Sequence, residues 1–133
     1  MKFTPFRWWT HSTLPVEALS GLIAWYWAVV FFLPGNLLLI SPVYKTLIYI
    51  YPQDWLWAGI MAILGLGHTL SVCFSVEGLR TASLAFATFV WTFLAVTFAI
   101  SIPLSVSPGL LGLLGLFSLW GWYRADREHN LGR

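Results

Sequence analysis

The sequence predicts an all-α integral membrane protein with four transmembrane helices and a short amphipathic interfacial helix between the first two. Three observations predict it. Apolar residues make up 59% of the 133-residue chain and charged residues 9%, against about 25% charged in soluble domains. A soluble domain of this size is mostly surface and could not hide so much apolar area from water. The apolar residues also gather into four runs of bilayer length, and the basic residues fall almost wholly on one side of the resulting topology.

The first run, residues 15–33, reads PVEALSGLIAWYWAVVFFL. Pro15 suits a first helical position, Glu17 complements the positive end of a helix, and Pro34-Gly35 ends the run. Lys2 and Arg7 precede it as in a secretory signal. The run is longer than a signal h-region and closes on FFLPGN, without a small-x-small cleavage site, so it reads as a retained span. Residues 37–40 continue it past the Pro-Gly step or lead into the next segment.

Residues 42–51, PVYKTLIYIY, are greasy but short. About ten helical residues reach roughly 15 Å, half of a hydrocarbon core of about 30 Å. Wound as a helix, they put Tyr44, Leu47, Ile48 and Tyr51 on one face, at i, i+3, i+4 and i+7. Lys45, Thr46 and Tyr49 fall on the other. That pattern fits a helix lying in the outer interface. The alternative, a re-entrant half-helix, would place Lys45 at a costly depth. Pro52 then breaks the segment.

The second span covers residues 54–75, with Asp54 as N-cap and Gly78 as C-terminal stop. The third covers 79–100, is rich in Ala, Phe and Thr, and breaks at Pro103. The fourth starts at Ser107-Pro108 and covers 107–123, followed by a charged cytoplasmic tail at 124–133. A tight turn at Val76-Glu77-Gly78 makes the second and third spans antiparallel neighbours. The whole chain reads as a single membrane domain.

Four spans put both termini and the second turn on one side. Lys2, Arg7, Arg80, Arg124, Arg127 and Arg133 lie there, and only Lys45 lies on the other. The positive-inside rule then makes both termini cytoplasmic. The aromatic residues agree, with Trp8, Trp9, Trp120, Trp122 and Tyr123 at the inner interface and Tyr44, Tyr49, Tyr51, Trp55 and Trp57 at the outer one.

His68, in GLGHTL, is the one ionisable residue well inside a span, and such residues are functional candidates by default. No second histidine faces it from another span, and the carboxylates read as lying at membrane edges or in the tail. A neutral histidine hydrogen-bonded across a helix interface, with Gly65 and Gly67 giving room, is the simpler reading. Glu17 and Arg80 both fall near the inner interface and could pair across helices; Glu77 could instead pair with Arg80 along the chain. Cys73 is the only cysteine, so no internal disulfide is possible. No nucleophile–base set, metal-ligand spacing or phosphate-cradling loop occurs. The expectation is a protein that is not an enzyme and carries no cofactor or metal. A net charge of +2 gives no argument for nucleic acid.

In the fourth span Gly109, Gly112, Gly115, Ser118 and Gly121 recur every third residue. A period of three drifts around a helix of about 3.6 residues per turn, which makes a spiral of small residues open to close contact on more than one side. Membrane helices approach one another through such residues. The second span offers shorter seams, Ala58-x₃-Ala62 and Gly67-x₃-Ser71-x₃-Ser75. Packing within one bundle would use some of this surface; the excess predicts a homo-oligomer.

The order of short motifs supports a resemblance. Trp9, His11 and Ser12 form W-x-H-S before an aromatic span that ends in Leu33-Pro34. S-P-x-Y follows at Ser41 to Tyr44. Pro52, Asp54, Trp55 and Trp57 open the second span. Leu79-Arg80 precedes an Ala-rich helix with a central Trp91, and W-x-W-Y-R closes the last span at Trp120 to Arg124. In this the chain resembles small four-span membrane proteins encoded among the structural genes of tailed phages. The resemblance implies a phage setting, and with it the host's bacterial inner membrane, but no mechanism. Two roles suit that setting: a virion-associated or genome-ejection channel component, partnered by itself or by other ejection proteins, and a holin that opens lysis pores. A third expectation, outside phages, is an accessory subunit of a larger membrane complex.

Overall fold

The computed structural model describes residues 13–33, 37–74 and 76–132. The basic residues Lys2, Arg7 and Arg133, the aromatic Trp8 and Trp9, the motif residues His11 and Ser12, the Pro34-Gly35 stop and Ser75 lie outside them. Six α-helices follow in order: α1 (Leu14–Phe32), α2 (Leu37–Ile40), α3 (Lys45–Ile50), α4 (Asp54–Phe74), α5 (Glu77–Ser101) and α6 (Ser107–Leu131). A 3₁₀ turn at Pro42–Tyr44 leads into α3. No strand occurs among the described residues. Three helices are long and apolar enough to cross a membrane: α1, α4 and α5. α6 matches α5 at 25 residues, but its glycines, tryptophans and charged last turns dilute its apolar character.

Local chemistry sets most of the ends. Proline occupies the first turn of both α1 and α6, where its missing N–H costs nothing. Leu33 turns extended at the end of α1. Two boundaries differ from the sequence reading. α5 begins at Glu77, so Gly78 lies in its first turn and does not stop the helix before it. α6 does not end at residue 123 but runs on to Leu131, so the expected tail is largely helical. Contacts one turn apart hold that extension. Arg124 lies over the Trp120 ring at 5.5 Å, Arg127 over the Tyr123 ring at 4.9 Å, and Asn130 donates to Asp126 at 3.2 Å, the spacing at which helix side chains meet.

The long helices pack as two close pairs, α1 with α4 and α5 with α6, joined mainly across α4 and α5. The core differs from one end to the other. Towards the α2–α3 end it is apolar, built on Ala24, Ala28, Phe31, Ala58, Met61, Leu94 and Phe98. Towards the α4–α5 turn it holds Thr13, Glu17, Ser20, His68, Ser71, Arg80 and Ser83, all buried.

The short segment closes the apolar end. Leu47 is fully buried, and Tyr44 packs edge-on against Trp27, Phe31 and Phe98 at 5.6–6.0 Å between centroids. Thr46 is drawn inward as well: its N–H and hydroxyl meet Ser101 Oγ at 3.1 and 2.6 Å. Lys45 and Tyr49 stay exposed. The face carrying Tyr44, Leu47, Ile48 and Tyr51 therefore packs on the bundle. Leu47→Asp would bury a charge against α5 without a counter-ion, so it is expected to lower the unfolding midpoint in mild detergent markedly. Lys45→Gln should change the stability by no more than about 0.5 kcal/mol. Equal tolerance of both changes would mean that the segment is a loose loop.

Candidate functional site

The densest polar chemistry lies at the buried end of the α1–α4 pair. On α1, Glu17 and Ser20 project from the same face as Thr13 just before the helix, and on α4 His68 and Ser71 stand one turn apart. Thr13 donates to Glu17 Oε2 at 3.1 Å and Ser71 donates to Glu17 Oε1 at 2.9 Å. The Glu17 side chain is thus held from both sides, in a residue only 2% exposed. Ser71 Oγ also lies 3.0 Å from the His68 carbonyl oxygen.

Ser20 links three helices. Trp91 of α5 donates its Nε1–H to Ser20 Oγ at 2.8 Å, and His68 Nε2 lies 3.0 Å from the same oxygen. The hydroxyl can donate to Nε2 while accepting from Trp91, which puts the imidazole proton on Nδ1. Alternatively it accepts from both, and Nδ1 then carries only a lone pair. In either state His68 Nδ1 is buried and makes no hydrogen bond among the described residues.

Glycines allow this approach. A Cβ on Gly21 would meet His68 Cβ at 3.1 Å, and one on Gly65 would meet the Trp25 ring at 2.9 Å. α1 and α4 therefore exchange a large side chain for a glycine in each direction. Trp25 completes the contact by donating to Thr69 Oγ1 at 3.0 Å, and Thr69 bonds back to the Gly65 carbonyl. A cavity of about 280 Å³ opens beside the cluster, lined in part by Glu17, Trp25, His68 and Cys73.

No family model, curated protein or solved structure matches the chain. The cluster must therefore be read from its own chemistry. It is a hydrogen-bonded junction of α1, α4 and α5, with one carboxyl and one imidazole in a setting sheltered from water. No group of three or more His, Cys, Asp or Glu that could hold a metal occurs among the described residues.

The remaining candidates are placed as follows. Arg80 Nη2 meets Glu128 Oε2 at 2.6 Å, and Glu77 meets His129 Nδ1 at 3.2 Å, two pairings that the sequence reading did not include. Both pairings arise because α6 continues as a helix past residue 123 and brings Glu128 and His129 level with the start of α5. The glycine spiral is split. A Cβ on Gly115 would meet Thr92, and one on Gly121 would meet Leu84, so both face the bundle, where Ser118 is also fully buried. Gly109 and Gly112 open onto empty space. On α4, Gly67 packs on Ser83, and Ser71 is committed to Glu17.

Glu17 is the residue whose role the sequence reading missed, since it was placed at a membrane edge away from His68. Its signal was the spacing Thr13, Glu17, Ser20: a polar stripe on an otherwise apolar helix, matched by His68 and Ser71 on α4.

Proposed function

We propose that the chain is a four-span, phage-type structural protein of the bacterial inner membrane, self-assembling as a virion-associated or genome-ejection component. α6 is the fourth span, with residues 107–123 in the bilayer, and α3 caps the bundle at the outer interface, where exposed Lys45 and Tyr49 suit the headgroup level. The Arg80–Glu128 pair supports this topology, since it sets the start of α5 and the end of α6 at one end of the bundle.

One observation carries the assembly: the molecule offers small-residue surfaces on two different sides. The first is a groove of about 510 Å³ lined by α1, Leu33 just beyond it and α4, with Ala28, Ala58, Gly59 and Ala62 among its walls and Trp25, Phe32 and Trp55 around them. The second is the start of α6, where Gly109 and Gly112 have open space above them. Two unlike surfaces on one protomer favour head-to-tail contact, which builds rings or filaments.

Mass spectrometry of purified particles tests the role, and the chain should be found among the virion proteins. Absence from the particle, together with abrupt lysis when the chain is expressed alone, would replace this reading with a holin. Alkaline phosphatase fused after Arg133 is expected to stay inactive, because that terminus is cytoplasmic. Periplasmic activity there would overturn the topology.

A further inference from the structure

The outward face of α6 changes character in one order along its length. Leu113, Leu116 and Phe117 come first, then Trp120 and Tyr123, then Arg124 and Arg127, and all are exposed. At about 100° per residue these positions share an arc of about 120°, away from buried Leu111, Ser118 and Ala125. Hydrocarbon, aromatic and cationic groups thus succeed one another over about four turns, the order of layers met on leaving a bilayer.

The arginines at the end of this strip form no ion pair among the described residues. Glu128 pairs with Arg80 and Glu77 with His129. Asp126 keeps its charge while accepting from Asn130, but at about 100° per residue it falls outside the arc that carries Arg124 and Arg127. The first two contacts also tie the last turns of α6 to the start of α5. Each guanidinium instead lies over an aromatic ring one turn earlier, at 5.5 and 4.9 Å. Stacking holds the planar group in place and leaves its edge N–H groups pointing away from the ring, ready for a bidentate acceptor.

We infer that this strip is a binding surface for an anionic phospholipid, with the lipid phosphate on Arg124 and Arg127 and an acyl chain along Leu113, Leu116 and Phe117. Charge complementarity selects the headgroup. A zwitterionic lipid offers the same phosphate, but its ammonium cancels the net charge. Each basic residue at the membrane surface favours the anionic lipid by about fivefold. The inference rests on membrane insertion but not on the proposed assembly role.

Native mass spectrometry of the full chain, released from nanodiscs of mixed phosphatidylglycerol and phosphatidylcholine, tests it. The parent should carry phosphatidylglycerol adducts in clear excess over the mixture's composition. Arg124→Gln with Arg127→Gln should remove most of that excess, with helicity by circular dichroism unchanged. Trp120→Leu with Tyr123→Leu should reduce it in part, since the charges remain but lose their platforms. Equal adducts of both lipids on the parent would overturn the inference, as would an excess that survives the double glutamine change. Displacement of the bound lipid by inorganic phosphate or by an oligonucleotide would also overturn it, by showing a generic phosphate site. A chain that never enters the nanodisc would defeat the membrane reading itself.

Discussion

Trp91→Ala is expected to lower the stability of the bundle by about 3 kcal/mol, near the low end of the soluble-core range for such truncations. The indole is fully buried at the junction of α1, α4 and α5. In water-soluble cores the loss combines transfer out of water with the cavity left behind. In the bilayer proposed for this chain, lipid tails are as apolar as the side chain, so the transfer part shrinks and the lost packing dominates. The change also deprives Ser20 of a donor. Trp91→Phe helps to separate the two effects, because it keeps much of the packing while removing the Nε1–H bond to Ser20 and part of the ring volume. It should cost more than the average of about 0.6 kcal/mol for a hydrogen bond between membrane helices and clearly less than the alanine change. Unfolding both variants by denaturing detergent, followed by loss of helicity, measures the difference. Equal losses would place the weight of the junction on its hydrogen bond.

Gly115→Leu and Gly112→Leu should differ sharply although they are one turn apart on the same helix. A Cβ at Gly115 would sit 2.8 Å from Thr92 Oγ1 and 3.4 Å from the Thr92 backbone nitrogen. The hydroxyl can rotate away, but the backbone cannot, and leucine adds three further carbons. Overpacking of this kind costs about 1–3 kcal/mol, and here it would prise α6 from α5. Gly112 has nothing within 4 Å of its Cβ position, so leucine there should leave the unfolding midpoint of the monomer unchanged. Any effect of Gly112→Leu must therefore appear in oligomer size, measured in nanodiscs against protein concentration. A Gly112→Leu variant of unchanged size would remove the start of α6 from the assembly contact and leave the α1–α4 groove as the remaining surface.

Several helices were legible because they begin or end on residues with few alternatives, such as Pro15 and Pro108, and because Glu77 follows closely on the end of α4. The all-helical character and the apolar helices α1, α4 and α5 follow from composition and run length. The extension of α6 was not legible, since charge alone reads as a solvated tail. It took the Arg–aromatic contacts and the partners on α5 to show a helix there. The same gap misdirected Arg80, whose acidic partner lies 48 positions away. Periodicity could show that the glycines of α6 wind around the helix. It could not show which turn of the spiral α5 would occupy. For the short segment, the i, i+3, i+4, i+7 pattern marked an apolar face but not whether lipid or protein would cover it, and Leu47 settled under α5.

The placement of Glu17 has a consequence for how the chain is made. Its two hydrogen-bond partners differ greatly in when they become available. Thr13 is four residues upstream and is present as soon as the first helix forms. Ser71 is 54 residues downstream. At about 5–20 residues per second of ribosomal elongation, several seconds separate the synthesis of the carboxyl from that of its second donor. In the membrane-inserted chain proposed above, the first helix would during that interval carry a polar group half satisfied, too costly to release freely into lipid. Retention beside the translocation channel until α4 arrives would shelter it, so the nascent helix has a physical reason to wait for its partner.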